Sequence, residues 1–296
     1  MRITPFTPNR QFIADQLERA RKYHCSITLV YEFDVTALLA RLEKDRKSGR
    51  DVGFTALLVK ATGLLLSRHP RLNRHVFHRG FRRYEVAFDH VSCTLVVRRT
   101  GPDMEDLLFP VLIRHTDRLS VEEIHRIIRH HKREPLGRLP QTAAFQRIKR
   151  MSRLALWWFG YKARRDPRFY ERYFGTYGLS SNVGWGWGPV AGSAVANTGV
   201  AFLPGAVRDL PRVVDGEIRV RKVLSLAIVA DHNLVDGADI ARAAAALRPM
   251  LESPALLGTT AAEAGRPGGP DLTTATLWAT EPVGDATVDS SCPYPT

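Results

Sequence analysis

Asp231-His232-Asn233-Leu234-Val235-Asp236-Gly237 is the stretch on which the reading of this chain turns. Before it, Ile218 to about Ala230 has the composition of a buried strand. After it, Ile240, Ala243, Ala244, Leu247 and Leu251 recur at helical spacing. The stretch is therefore a strand–turn–helix joint with a histidine at the end of the strand. Neutral imidazole titrates at about pH 6.5 and can take a proton at physiological pH. A thiol, with a pKa of about 8.5, needs such a base, because only the thiolate is strongly nucleophilic. Asp236 is placed to cap the following helix or to pair with a buried arginine, fixing the turn that aims His232. Gly237 allows close backbone approach. The same residues also read as a core histidine followed by a helix-capping aspartate.

Outward from this joint the chain alternates α and β patterns. Asp215-Gly216, between Arg212-Val213-Val214 and Glu217-Ile218-Arg219-Val220, predicts a hairpin. Near the start, Arg10–Lys22 reads as a helix and Ser26–Phe33 as a strand with Ile27, Leu29, Tyr31 and Phe33 on one face. Asp34 caps a helix carrying Val35, Leu38, Leu39 and Leu42. Phe54, Leu57, Leu58, Ala61 and Leu65 mark another helix, ending at His69-Pro70. Strands are expected around Tyr84–Val97 and Leu107–Ile113, and Ser120 with Glu123 forms a capping box that opens a helix to about Lys132.

The composition excludes several classes. The 296 residues are 44% hydrophobic and 25% charged, which suits a folded globular body and no disordered, collagenous or membrane-spanning protein. Met1 to Phe12 lacks the apolar core of a signal peptide, and Leu154–Phe159 is too short to span a bilayer. Three cysteines, Cys25, Cys93 and Cys292, form no disulfide framework and no paired metal motif, which predicts a reducing, cytoplasmic location. From Pro254 to Thr296 one basic residue, Arg266, stands against five acids, and this segment is expected to be a disordered acidic tail. The net charge of +13 is thus concentrated in residues 1–253, read as one domain. A basic body favours anionic partners, but no zinc-finger, homeodomain or other nucleic-acid motif accompanies it, so no nucleic acid is expected.

His-x-x-x-Asp-Gly on a strand and turn resembles the signature shared by chloramphenicol acetyltransferase and the acyltransferase subunits of 2-oxo acid dehydrogenase complexes. The resemblance runs over roughly residues 8–252. Val30-Tyr31-Glu32-Phe33-Asp34-Val35 and Phe54-Thr55-Ala56-Leu57-Leu58 look like that family's early elements. Ser180-Ser181-Asn182-Val183-Gly184 looks like its serine-bearing strand, and Val213-Val214-Asp215-Gly216 like its late hairpin. The resemblance implies an α/β fold, a two-layer sandwich of chloramphenicol-acetyltransferase type, with a mixed sheet and helices packed on one side. It implies a coenzyme A-dependent acyltransferase working by direct transfer, without a covalent acyl-enzyme or a metal. His232 would be the base and Ser181 the oxyanion donor, with Ser180 one residue away in a short alignment. Asp236 would pair with an N-terminal arginine, for which Arg10 is the candidate; Arg10 also reads as an exposed residue of the first helix. A homotrimer is implied, with His232 from one chain and Ser181 from its neighbour, and with a small-molecule or carrier-bound acyl acceptor.

Three features depart from the family. The catalytic pattern begins almost at Met1, so no lipoyl or peripheral-subunit-binding domain, and no covalently bound lipoate, is expected on this chain. Asn233 stands where the family subunits usually have arginine. Residues from about 140 to 176 look inserted, and 147–174 interleave nine arginines and lysines with Trp157, Trp158, Phe159 and other aromatics. That insertion reads as a face packed on the domain's own core, as a lid or subunit contact, or as an interfacial helix on anionic lipid that would make the protein peripheral to a membrane. A non-catalytic relative acting as an assembly or membrane-surface scaffold is the alternative reading of the whole. His125, His130 and His131 read as a solvated charged face, Asp89-His90 with Ser92 fits no nucleophile elbow, and Cys93 reads as core.

Overall fold

In a computed structural model of the chain, the structure describes residues 5–6, 8–50, 52–101, 104–134, 138, 152–181, 183, 192–195 and 198–254. The expected tail and the start of the insertion lie outside the described residues. Helix α1 (Pro8–Tyr23) leads into β1 (Ser26–Asp34), α2 (Thr36–Lys47) and α3 (Phe54–Arg68). The hairpin β2 (Arg74–Arg79) and β3 (Arg82–Ala87) is followed by β4 (Cys93–Gly101), β5 (Met104–Ile113) and α4 (Val121–Arg133). Then come α5 (Arg153–Ala163), α6 (Pro167–Phe174), β6 (Tyr177–Ser180), β7 (Val200–Val214), β8 (Glu217–Asp231) and α7 (Gly237–Glu252).

Six strands form one sheet in the order β1-β8-β7-β6-β4-β5, and β2-β3 stand apart as a two-stranded ribbon. The sheet is mixed: β6 runs parallel to both β4 and β7, and the other pairs are antiparallel. Alternation decides which side is buried against helices. Leu224, Leu226, Ile228 and Ala230 of β8 join Phe33 of β1, Phe202 of β7, Tyr177 and Leu179 of β6 and Leu95 of β4 in one core. The apolar faces of α2, α3, α4 and α7 complete it through Leu38, Leu57, Ile124 and Leu247. This is the α/β two-layer sandwich that the resemblance implied.

Local chemistry explains most of the boundaries. Asp34 accepts the Thr36 N–H at 3.0 Å, but the N-cap position belongs to Val35, because Asp34 is still in the strand and also pairs with Arg221 at 2.6 Å. The Ser120–Glu123 capping box forms as expected, with bonds of 3.2 and 2.7 Å. The hairpin turn puts Asp215 at φ 53° and Gly216 at φ 81°, the left-handed region that Asp-Gly supplies cheaply. One expectation needs correction. Tyr84–Val97 is two strands, not one, because the chain leaves the ribbon after Ala87 and enters the main sheet only at Cys93. Asn73 ties down the connection, its side-chain amide donating to Phe88 O and His90 O at 2.9 Å each. Cys93 is buried, and burial pushes its thiol up to about 12, so it belongs to the core as read.

Tyr177 sets the position of β6. Its ring is fully buried, and its hydroxyl donates to Val59 O at 3.1 Å within reach of Thr62 and Thr116. On β2, His75 is 3% exposed and stacks on Tyr170 of α6, with ring centroids 4.0 Å apart. Burial, reinforced by the neighbouring His24, lowers the His75 pKa to about 3. The unfolded chain therefore binds a proton below about pH 6.5 that the folded chain refuses until about pH 3. The stability contributed by neutral His75 is complete above pH 6.5 and is lost as the pH falls through this window, by up to about 1.4 kcal/mol per unit. Replacing His75 by Phe removes that component. Urea melts at pH 7 and pH 4.5 should show a smaller acid loss in His75→Phe than in the wild type.

Among the described residues no helix is long and apolar enough to cross a membrane.

Candidate active site

His232 is the first residue after β8. Its N–H donates to Cys25 O at 2.7 Å, which extends the β1–β8 pairing by one step and fixes the backbone that carries the imidazole. Nδ1 lies 3.0 Å from Val235 O. A carbonyl only accepts, so Nδ1 carries the proton and Nε2 is the nitrogen with the lone pair. The side chain is 45% exposed, open enough to meet a substrate. Asp236 Oδ1 stands 3.5 Å from the same Nδ1, and the Asp236 side chain is 79% exposed. Asp236 occupies the N-cap of α7, where its N–H donates to the Asp239 carboxylate at 3.1 Å.

The carboxylate that holds the turn is Asp231, which the sequence reading gave no role. It is fully buried. Oδ1 accepts the N–H groups of Asn233 and Cys25 at 3.1 and 3.2 Å and the Asn233 side-chain amide at 2.7 Å. Oδ2 meets His24 Nδ1 at 2.7 Å. Burial alone would raise the carboxyl, but the hydrogen bonds from His24 and Asn233 outweigh it and hold it below the usual carboxylate range. Asn233, the departure from the family's arginine, thus serves the turn by donating to Asp231. His24 had no local signal, because it lies 207 positions away in sequence.

Gly199 is the third unforeseen participant. It accepts the Asp231 N–H at 2.9 Å, and a Cβ there would lie 1.9 Å from Arg74 O and 3.3 Å from Leu234. At Gly237 a Cβ would meet nothing within 4 Å, so close approach within this chain is a property of Gly199. Arg10 lies exposed in the first turn of α1.

Ser181 follows β6 directly and is half-buried, with Oγ 3.5 Å from Val183 N. The register does not bring it to His232. Leu179 stands level with Phe202, and Phe202 with Ile228, while Val200 pairs with Ala230. Extrapolated along β7, Ser181 and His232 are six residues apart, roughly 20 Å at about 3.3 Å per residue. His232 lies at the edge where β8 ends, and Ser181 lies level with Pro204, well inside β7.

Among the described residues no group of three or more His, Cys, Asp or Glu could hold a metal ion. His125 Nδ1 instead accepts the Gly53 N–H at 3.1 Å, and His131 Nδ1 bonds Ile127 O at 2.9 Å.

The family described as 2-oxoacid dehydrogenases acyltransferase (catalytic domain) matches residues 1–137 and 190–259. The chain belongs to this family. As an acyltransferase catalytic domain it is 28% identical, over 254 residues, to the lipoamide acyltransferase component of the branched-chain alpha-keto acid dehydrogenase complex of Pseudomonas putida, covering 84% of this chain and 52% of that one. It is 25% identical over 255 residues to a dihydrolipoyllysine-residue succinyltransferase component of the 2-oxoglutarate dehydrogenase complex from Bartonella vinsonii, covering 84% and 53%. The chain spans about half the length of the curated relatives it matches. The fold is similar to that of a probable dihydrolipoamide acetyltransferase from Listeria monocytogenes, with a TM-score of 0.62 at 18% identity over 85% of this chain and 94% of the other. The dihydrolipoamide acetyltransferase of Azotobacter vinelandii gives 0.62 at 20% identity over 87% and 94%. The match to the acyltransferase family skips residues 138–189, which hold α5, α6, β6 and Ser181.

Proposed function

We propose that this catalytic domain transfers an acyl group directly between coenzyme A and a second thiol or comparable acceptor, with His232 as general base. The observation that carries the reading is the His232–Val235 bond, which commits Nδ1 and leaves Nε2 to take a proton. Nε2 removes the proton from the acceptor thiol. The thiolate attacks the carbonyl carbon of the acyl thioester, and its electron pair forms the new C–S bond as the carbonyl π pair moves to oxygen. The oxyanion is held by a hydroxyl donor, the role given to Ser181. Collapse re-forms the carbonyl and expels the coenzyme A thiolate, which recovers the proton from the imidazolium.

The roughly 20 Å separation of Ser181 from His232 within one chain favours a site completed between subunits, as a homotrimer would provide. In the Azotobacter vinelandii enzyme a serine, a histidine and an asparagine four residues beyond that histidine have been investigated for roles in the catalytic mechanism. Here the residue four beyond His232 is Asp236.

Release of free coenzyme A thiol from acyl donors of graded chain length, with dihydrolipoamide as acceptor, tests the reading. Saturable release by the wild type supports it; none from any donor sinks it. Ser181→Ala should lower kcat by about 10²–10³-fold, the usual effect of removing one oxyanion donor, with KM for the donor little changed. If Ser180→Ala has that effect and Ser181→Ala does not, the serine assignment moves by one residue.

A second role is favoured by α5, where Leu154, Trp157 and Trp158 are 75%, 56% and 53% exposed and Lys162 stands 5.3 Å from the Trp158 ring. We infer that this face meets anionic lipid. Cosedimentation with phosphatidylserine vesicles should fall in Trp157→Ala/Trp158→Ala; equal binding to neutral vesicles would contradict it.

A further inference from the structure

We propose that the cleft between α1, β2, α5 and α6 is a binding site for a small organic carboxylate with a flat, aromatic or unsaturated body. His232 is not among the residues that line it, and its α5 and α6 walls come from the segment outside the family match. The cleft is open on one side, so a ligand seated in it keeps part of its surface in solvent.

Its permanently charged groups are of one sign. Arg19 and Arg164 line it, and no acidic side chain does. Arg19 Nη1 donates to Leu156 O at 3.2 Å, which braces the guanidinium without neutralising it. The Arg164 guanidinium lies 4.5 Å from the Tyr23 ring centroid, and no carboxylate pairs with it among the described residues. Guanidinium groups fixed in this way match a carboxylate through paired N–H donors. The carboxylate of Asp231 is near, but it is buried behind His24 and already bonded to it.

The second observation is His75. It lines the cleft, is 3% exposed, and its Nδ1 has no hydrogen-bond partner among the described residues. A buried polar nitrogen without a partner is costly, so the packing around His75 leaves a polar group that a bound molecule close to the ring can compensate. Burial keeps this imidazole neutral, so it can present one N–H and one lone pair. Next to it the Tyr170 ring stacks at an interplanar angle of 17°, giving the cleft a flat aromatic wall. Gly160 on α5 makes the space: a Cβ there would fall 2.2 Å from Arg19 Nη1. A flat aromatic wall in a cleft that also holds two guanidinium groups selects a planar body bearing a carboxylate over a compact inorganic anion.

Benzoate is the probe. Isothermal titration at constant ionic strength compares it with benzamide, its neutral counterpart, and with inorganic phosphate, using the full chain. The expected result is one saturable benzoate site per chain, with benzamide and phosphate each at least tenfold weaker. Arg164→Gln should weaken benzoate at least tenfold. Gly160→Leu, which adds a good helix former and fills the cleft, should remove binding while the thermal melt is retained. The proposal is overturned if benzoate shows no saturable binding, which would leave the cleft to water, if benzamide binds as tightly, or if benzoate binds Gly160→Leu as well as the wild type. Should Gly160→Leu fail to fold, the benzamide comparison and Arg164→Gln decide the matter.

Discussion

Acyl transfer in His232→Ala is expected to fall by about 10²–10⁴-fold, the range that a positioned general base contributes. The loss should appear in kcat and in kcat/KM alike, because the base acts on the proton in flight and contributes little to ground-state binding. Stability should barely change. The side chain is 45% exposed, and its Nδ1 bond to Val235 O is replaceable by water. The measurement is thiol release under saturating donor, beside a thermal melt and a sizing run. If the variant keeps its rate, the turn carries another function and the scaffold reading gains. A large loss of stability in the variant would return His232 to the class of structural histidines.

Asp231→Ala is expected to do the opposite: a large loss of stability together with a loss of rate. The carboxylate is fully buried and receives His24, two backbone N–H groups and the Asn233 amide. Removing one member of a buried charged network typically costs roughly 3–5 kcal/mol, because its partners are left buried and unmatched. Chemical denaturation should show this as a lower midpoint with an unchanged m-value. Asp231 touches no reacting atom in this account; it is a positioning residue for the turn. Losing it should therefore lower kcat by about 10²-fold through misplacement of the imidazole, with KM for acyl donor nearly constant. Asp231→Asn, which keeps the shape and the acceptor oxygen toward Asn233, should recover part of the rate. A purely structural carboxylate would give a lower midpoint with kcat unchanged in the surviving folded protein.

Much of the fold was legible because its signals are local and periodic. The alternation in β1, the helical spacing in α3 and α7, the Ser120–Glu123 box and the Asp215-Gly216 turn each lie within a few residues of what they determine. His232 was legible for the same reason, since strand, turn and helix are continuous there. Strand β2 and its pairing with β3 were missed: β3, inside the stretch expected as one strand, is mostly exposed and shows no inward alternation, and β2 buries His75 between Val76 and Arg74 against an apolar pattern. The supports of the site were missed for a different reason. Asp231 was visible in the motif, but its role depends on His24, across the β1–β8 pairing, and on Gly199 from β7's approach. Contacts at such sequence distance leave no periodic trace. The placement of Ser181 away from His232 emerges only from strand register, which the order of motifs along the chain does not encode.

On the proposed reading, His232 of one subunit and Ser181 of another make one acyl-transfer centre. Coexpression of His232→Ala with Ser181→Ala chains, purified as mixed oligomers, tests it most directly. Some interfaces then pair an intact histidine with an intact serine from the neighbouring chain. Thiol release from acyl-CoA is expected to lie well above that of either parent oligomer. Release no greater than the average of the two parents, from oligomers shown to contain both chains, would contradict it.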